Sequence, residues 1–268
     1  MIPHRCTLLF TGLLTLSGSV AQSKPVVPGP VDAFTTDEVG NMYVLRGDEL
    51  ELYNAQGASW LRNSLKTFGP ISHLDAFYSL KPLIFSQEQG QLAMLDNTLA
   101  VQGSVLNLPR NGFPQVVLAC ASVQNSFWFF DQQELGLIRV DAQLRKLANT
   151  GRLDQLLGIS PAPIAMQEFD SRLYMNDPTN GILVFDLFGT YMKTIPLKEV
   201  SSFEVRSGSL YFVQRGLPQV YDMRSFAIDP IPLPESLLEG LIDFRIERGR
   251  AYVLTSSGIV IHEAVSRP

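Results

Sequence analysis

The chain has 268 residues, with 21 Lys and Arg against 26 Asp and Glu, a formal charge of −5 and 46 % hydrophobic residues. That acidic balance, with no Lys or Arg cluster to override it, excludes sequence-independent nucleic-acid binding, which needs a basic face to displace counterions from phosphates. Two cysteines, Cys6 and Cys120, are too few for a disulfide scaffold, so stability has to come from a core.

Residues 1–21 read as a cleaved secretory signal. Arg5 is the basic start, residues 8–16 are the apolar core, and Ser19-Val20-Ala21 is the small-residue cleavage site. The apolar core is about half of the ~20 residues that a membrane span needs. Export follows, to the periplasm or an outer-membrane-associated position, with Cys120 left as the sole cysteine and no intramolecular disulfide. Residues 22–30, with Pro25, Pro28, Pro30 and Gly29, read as a linker or a closing strand ahead of a single domain over residues 31–268.

From there the chain repeats. Met42-Tyr43-Val44, Leu83-Ile84-Phe85, Phe127-Trp128-Phe129, Leu173-Tyr174-Met175, Leu210-Tyr211-Phe212 and Ala251-Tyr252-Val253 are short apolar runs spaced at roughly 40 residues, the period of a propeller blade. A second series follows them and ends in Asn or Asp: Asn54, Asp96, Asp141, Asp186 and Asp222. A short polar side chain at a strand end bonds nearby backbone N–H groups and starts a turn. Candidate innermost strands precede each run, two of them sharing a phrase, Val31-Asp32-Ala33-Phe34 and Leu74-Asp75-Ala76-Phe77. Trp60, Val101, Leu147, Met192 and Phe226 mark outermost strands. The sixth repeat has room for three strands only. The predicted fold is therefore all-β, a six-bladed β-propeller whose last blade is completed by the N-terminal segment around residues 26–30. A transmembrane barrel would need strands of about 9–11 residues alternating apolar and polar, whereas runs such as Phe127-Trp128-Phe129-Phe130 are apolar on both faces.

In such a ring the loops joining second to third strands share a face with the blade-to-blade joins, and rigid scaffolds build binding sites on loops of this kind. Asn176, Asp177, Asn180, Gln214 and Arg215 lie in these loops, and Phe68 and Phe113 in the longer joins are expected as exposed aromatic anchors for a protein partner. Catalytic signals are sparse. After signal removal the histidines are His73 and His262, with no Gly-x-Ser-x-Gly elbow and no His-Glu-x-x-His pair. Cys120, within Val117-Leu118-Ala119-Cys120-Ala121, reads as a small core residue. Asp32, Asp75 and Asp243, on innermost strands near the axis, are the candidate metal ligands, for Ca²⁺. The plainer role for the three is to bond backbone groups or face channel water.

The unit Val184-Phe185-Asp186-Leu187-Phe188-Gly189-Thr190-Tyr191, with its second copy Leu52-Tyr53-Asn54-Ala55-Gln56-Gly57, resembles the repeat of six-bladed propellers of the NHL and TolB-like kind. Together with a signal ending in Val20-Ala21-Gln22, the chain is similar to envelope propellers of Bacteroidota. The resemblance implies a non-catalytic scaffold with no cofactor, a subunit of a periplasmic or outer-membrane complex that recognises a protein or peptide. It also implies the alternative of a metal-dependent lactonase or esterase-type hydrolase with its site at the channel mouth, for which no catalytic residue is placed.

Overall fold

The computed structural model describes residues 25–76 and 81–263. The signal-peptide reading and Phe77 lie outside the described residues. Six four-stranded antiparallel sheets follow one another along the chain as the blades of a propeller. The innermost strands are Ala33–Thr36, His73–Asp75, Val116–Ser122, Ala165–Phe169, Val200–Arg206 and Leu241–Glu247. Each touches the innermost strands of both neighbours, so the six close a ring around a narrow axis.

Closure follows the expectation. Leu241–Glu247, Arg250–Thr255 and Gly258–Glu263 are the three strands of the sixth blade, and Val27–Pro28 pairs antiparallel with the last of them, Val27 opposite Ile259 and Pro28 opposite Gly258. Pro28 is tolerated because it sits on an outer edge, where no ladder bond is demanded of its nitrogen. Val27 is fully buried, as is Ile259.

The second and third strands are apolar on both faces because each blade is covered on both sides. Every residue of Ser126–Asp131 and Gly136–Val140 is buried, and Trp128 is the largest side chain enclosed. Instead of one core there are apolar wedges between neighbouring blades. Tyr43, Leu50 and Phe68 with Ile84 and Leu95 fill the joint between the first and second blades. Phe85, Phe113 and Phe129 fill the next. The joint between the fifth and sixth blades is different. Its wedge comes from the sixth blade and from Leu233 and Leu237 of the connecting segment, which includes the short helix Glu235–Leu238.

The recurrent Asn and Asp behave as turn residues. The Oδ1 atom of Asn54, Asp96, Asp141 and Asp186 accepts the backbone N–H two and four residues on, at 2.8–3.1 Å. Asp222 makes the equivalent cap to Arg224 and Ser225. The left-handed position that closes each turn is held by Gly57 and Gly189 in the first and fourth blades, but by Leu99, Leu144 and Phe226 elsewhere, with φ of +63°, +60° and +62°. Phe226 thus belongs to the turn before the outer strand Ile228–Pro230 and not to a strand centre.

Candidate functional site

The axis is lined by polar side chains that the innermost strands alternate with apolar ones. A cavity of about 80 Å³ lies there, bordered by Thr36, His73, Asp75, Gln167, Glu204, Arg206 and Arg245. Ligand pockets for drug-sized molecules run to roughly 300–1,000 Å³, so this constriction takes a few waters and not a substrate of that size.

Most of these polar groups tie one blade to the next. Asp75 of the second blade accepts the Ala121 N–H of the third at 3.0 Å. Glu168 of the fourth blade accepts both the Val123 N–H and the indole N–H of Trp128, at 3.0 and 2.7 Å. Gln167 exchanges two bonds with the backbone of Val205 in the fifth, and Glu204 of the fifth accepts the Ile246 N–H of the sixth at 3.0 Å. A carboxylate or amide facing the axis has no apolar wedge to enter, and the nearest unpaired donors are the N–H groups of the adjoining strand.

The fifth and sixth blades, whose apolar wedge is thin, are joined by charge. Arg206 pairs with Glu204 at 2.6 Å and with Glu247 at 2.5 Å, and donates to the carbonyl of Thr36 in the first blade. Arg245 pairs with Asp243 at 2.7 Å and bonds Ser202, whose hydroxyl also donates to Asp243. Burial works hardest against the Arg245 charge, but Asp243 and Glu204 outweigh it and hold its pKa above the ordinary value. Burial pushes the Glu247 carboxyl up to about 7, with Glu204 adding to the shift and Arg206 opposing it. Burial also lowers His73, Arg245 adding to the shift and Asp75 opposing it, so the imidazole is neutral at neutral pH.

The three candidate metal carboxylates do not converge. Asp32 accepts the Gly47 N–H at 2.6 Å and lines a surface hollow with Asp48, Lys66 and Ile71, away from the axis. Asp75 and Asp243 are held as described. Among the described residues no three His, Cys, Asp or Glu side chains gather closely enough to hold a metal ion. Cys120 is buried, and burial, reinforced by the charges of Asp75 and Glu168, raises its thiol pKa well above normal.

The expected loop-face site is corrected in several places. Phe68 and Phe113 are not exposed anchors: both are buried, and Phe113 meets Phe129 edge-on at 5.6 Å between ring centroids. The short 3₁₀ turns Lys66–Phe68 and Pro109–Asn111 aim or deliver these rings into the wedges. Asn176 and Asp177 are also fully buried. Asn176 donates to the Val200 carbonyl. Asp177 accepts the N–H groups of Thr179, Asn180 and Ala162 and so ties its own turn. Asn180 donates to Ser160 O and Asp177, and Gln214 to Lys198 O at 2.6 Å. Arg215 is exposed and pairs with Glu199.

The most exposed aromatic residues lie elsewhere, on outer strands and on the turns that lead into them, while Leu156, Leu217 and Ile242 are exposed on a blade-to-blade helix, a third strand and an innermost strand. Phe188 is 79 % exposed and Phe226 64 %, with Trp60, Leu147, Met192 and Ile228 also exposed. Residues missed by sequence reasoning are Gln167, Glu168, Glu204, Arg206 and Arg245. Their signal is polar and charged residues set among apolar ones in, or one residue beyond, the expected innermost strands.

No family model and no curated protein matches the sequence. Solved structures do match in fold. A streptogramin B lyase is 12 % identical with a TM-score of 0.59, covering 91 % of this chain and 94 % of its own. The Neurospora crassa Pan2 WD40 domain is 9 % identical at 0.58, covering 88 % and 76 %. BBS1N, solved in complex with ARL6DN, is 11 % identical at 0.56, covering 87 % and 77 %. At such identity the likeness is one of fold: the chain is a β-propeller, an architecture that serves both enzymes and protein-binding modules.

Proposed function

We propose that the protein is a non-catalytic, protein-binding scaffold of the bacterial cell envelope, a subunit of a periplasmic or outer-membrane complex of the kind found in Bacteroidota. The observation that carries this reading is the division of labour among side chains. Polar groups near the axis are spent on joining blades, while large apolar side chains stand uncovered on the outer rim, where exposed aromatics make frequent interface anchors. BBS1N, bound to ARL6DN in its structure, shows a neighbour of this fold engaging a protein.

The test is affinity capture with the exported chain from cross-linked envelopes. A stoichiometric partner that survives stringent washing is the expected result. Recovery of no partner, or lactone hydrolysis by the purified chain that Asp75→Ala abolishes, would overturn the scaffold in favour of a channel-mouth hydrolase.

A further inference from the structure

We infer that the outer edge of the fourth blade receives an extended segment of a partner protein in which acidic and apolar residues alternate, docking as a fifth strand of that blade. The inference rests on the scaffold reading above and names where and how the partner binds. An outermost strand presents a row of backbone N–H and C=O groups that can template pairing. The edges differ in what surrounds that row. The sixth blade offers two residues ending in Pro28, and the fifth ends its edge at Pro230. On the first, Arg62 is drawn back onto Glu49 and Glu51. The second exposes Gln102, Gly103, Ser104 and Val105 and carries no charge, and the third is a four-residue edge, Lys146–Asn149, whose lysine stands over the buried Phe113 ring. The fourth has a five-residue edge, Tyr191–Ile195.

The register of that edge separates its side chains into two grooves. Lys193 lies opposite Val184, which packs in the wedge with the fifth blade, and Tyr191 lies opposite Phe185, which packs in the wedge with the third. A bulge between these pairs inserts Met192, 48 % exposed. On the fifth-blade side, the Lys193 ammonium stands 5.8 Å from the centroid of the exposed Phe226 ring, and among the described residues no carboxylate pairs with it. On the other side, the turn carrying Phe188 lies against Asn149 and Thr150 of the third blade, as Gly189 shows: a Cβ there would sit 3.3 Å from their backbone.

An added strand sends successive side chains to opposite faces. Its residues therefore fall alternately on the face of Lys193 and Phe226, where a carboxylate is matched, and on the opposite face, that of Tyr191, where an apolar side chain is matched. The bulge and the lysine are also devices that keep edges from pairing indiscriminately. Here they admit a strand that supplies the missing negative charge. A second copy of this chain is a poor occupant, because two edges pairing about a two-fold axis at Lys193 would oppose like charges.

The experiment uses the chain from Gln22 to Pro268 and three end-blocked, fluorescently labelled nonapeptides: Glu alternating with Val, Lys alternating with Val, and the Glu and Val residues regrouped into blocks. Binding is followed by anisotropy. The alternating Glu–Val peptide is expected to bind saturably and at least tenfold tighter than the other two. Lys193→Glu should reverse the preference between the Glu and Lys peptides, Lys193→Gln should remove it, and Met192→Thr should weaken the Glu peptide several-fold, all with wild-type melting temperatures. Absence of saturable binding, equal binding of the three peptides, or an unchanged preference in Lys193→Glu would overturn the inference. So would self-association in sedimentation that Lys193→Glu alters, since the occupant would then be a second copy. If the envelope partner is captured equally by wild type and Lys193→Glu, the edge inference fails and the scaffold stands. If wild type captures none, the scaffold itself fails.

Discussion

Starting the chain at Val31 removes the strand that closes the ring. Val27 is fully buried, which at the usual transfer value is worth about 1.5–3 kcal/mol. Two further backbone bonds go with it, from Val26 N–H to Ile259 O at 2.9 Å and from Gly29 N–H to Ser257 O at 3.0 Å, each worth roughly 0.5–1.5 kcal/mol net. The released segment regains conformational entropy, which offsets much of this, but the apolar side chains it covers, Tyr53, Tyr252 and Ile259 among them, are exposed as well, and a net loss on the order of 3–4 kcal/mol remains. For a domain of this size that corresponds to a fall in Tm of about 6–16 °C. A single atom provides an independent handle. Gly258 has φ of +129°, and a Cβ on it would lie 2.1 Å from the Val27 carbonyl oxygen. Gly258→Ala therefore has to displace the closing strand, and its cost is capped by what that strand contributes. In the truncated chain nothing remains to clash with, and the same substitution should cost only the backbone strain, ~1 kcal/mol. Urea denaturation of the four proteins forms a double-mutant cycle, with an expected coupling of about 2–3 kcal/mol. Equal costs of Gly258→Ala in both backgrounds, or a truncation that leaves Tm unchanged, would refute the closure.

Three other outcomes are expected. Leu99→Gly relieves a left-handed residue but empties a buried site, and the cavity cost of about 2–4 kcal/mol should exceed the ~1 kcal/mol of strain recovered. Phe226→Gly, at an exposed turn of the same geometry, should shift stability by less than ~1 kcal/mol, and urea denaturation of the two variants checks the contrast. Glu247, with a folded pKa near 7 against an ordinary 4.5, is protonated in both states at low pH. Stability is lost as pH rises from about 4.5 to 7 and then levels off, whereas Glu247→Gln should give a flatter profile across that window in pH-dependent melts. The slope between pH 4.5 and 7, and not the absolute stability, is the readout, because the variant also loses the Arg206 pair. Cys120 should resist a thiol reagent such as dithionitrobenzoate at pH 8 until denaturant unfolds the blade, because the sulfur is both buried and held protonated.

The architecture was legible because each blade writes its own strands, with apolar runs at a regular spacing and an Asn or Asp at the turn. The turn glycine was less so. Leu99 and Leu144 take the left-handed position that Gly57 and Gly189 take elsewhere, and both leucines are buried in the wedges, where packing compensates the strained backbone. The candidate site was read less well, and for a physical reason. Whether Phe68 and Phe113 face solvent is decided by the neighbouring blade, as is the fate of Asp75, Glu168 and Glu204, whose partners lie a full repeat away along the chain. Local pattern carries strand and turn, but contacts between repeats are set by the angle at which blades meet. Asp177 shows the same limit: its polarity suggested a binding loop, and its side chain closes its own turn instead.

The pairing of Val27–Pro28 with Gly258–Glu263 also ties the first described strand to the last. Five blades are built from consecutive hairpins and can assemble as soon as their own residues are available, whereas the sixth has to hold its outer position open for a segment from the start of the propeller. Among the described strand pairs this one spans the longest stretch of chain, and it carries the largest closure entropy. Until it forms, the ring is an open arc that leaves Phe34, Met42 and Val44 at one end and Tyr252, Leu254 and Ile259 at the other without their shared cover. A chain without this joint exposes apolar surface to aggregation and proteolysis, and the same joint is the first place where the finished ring can reopen.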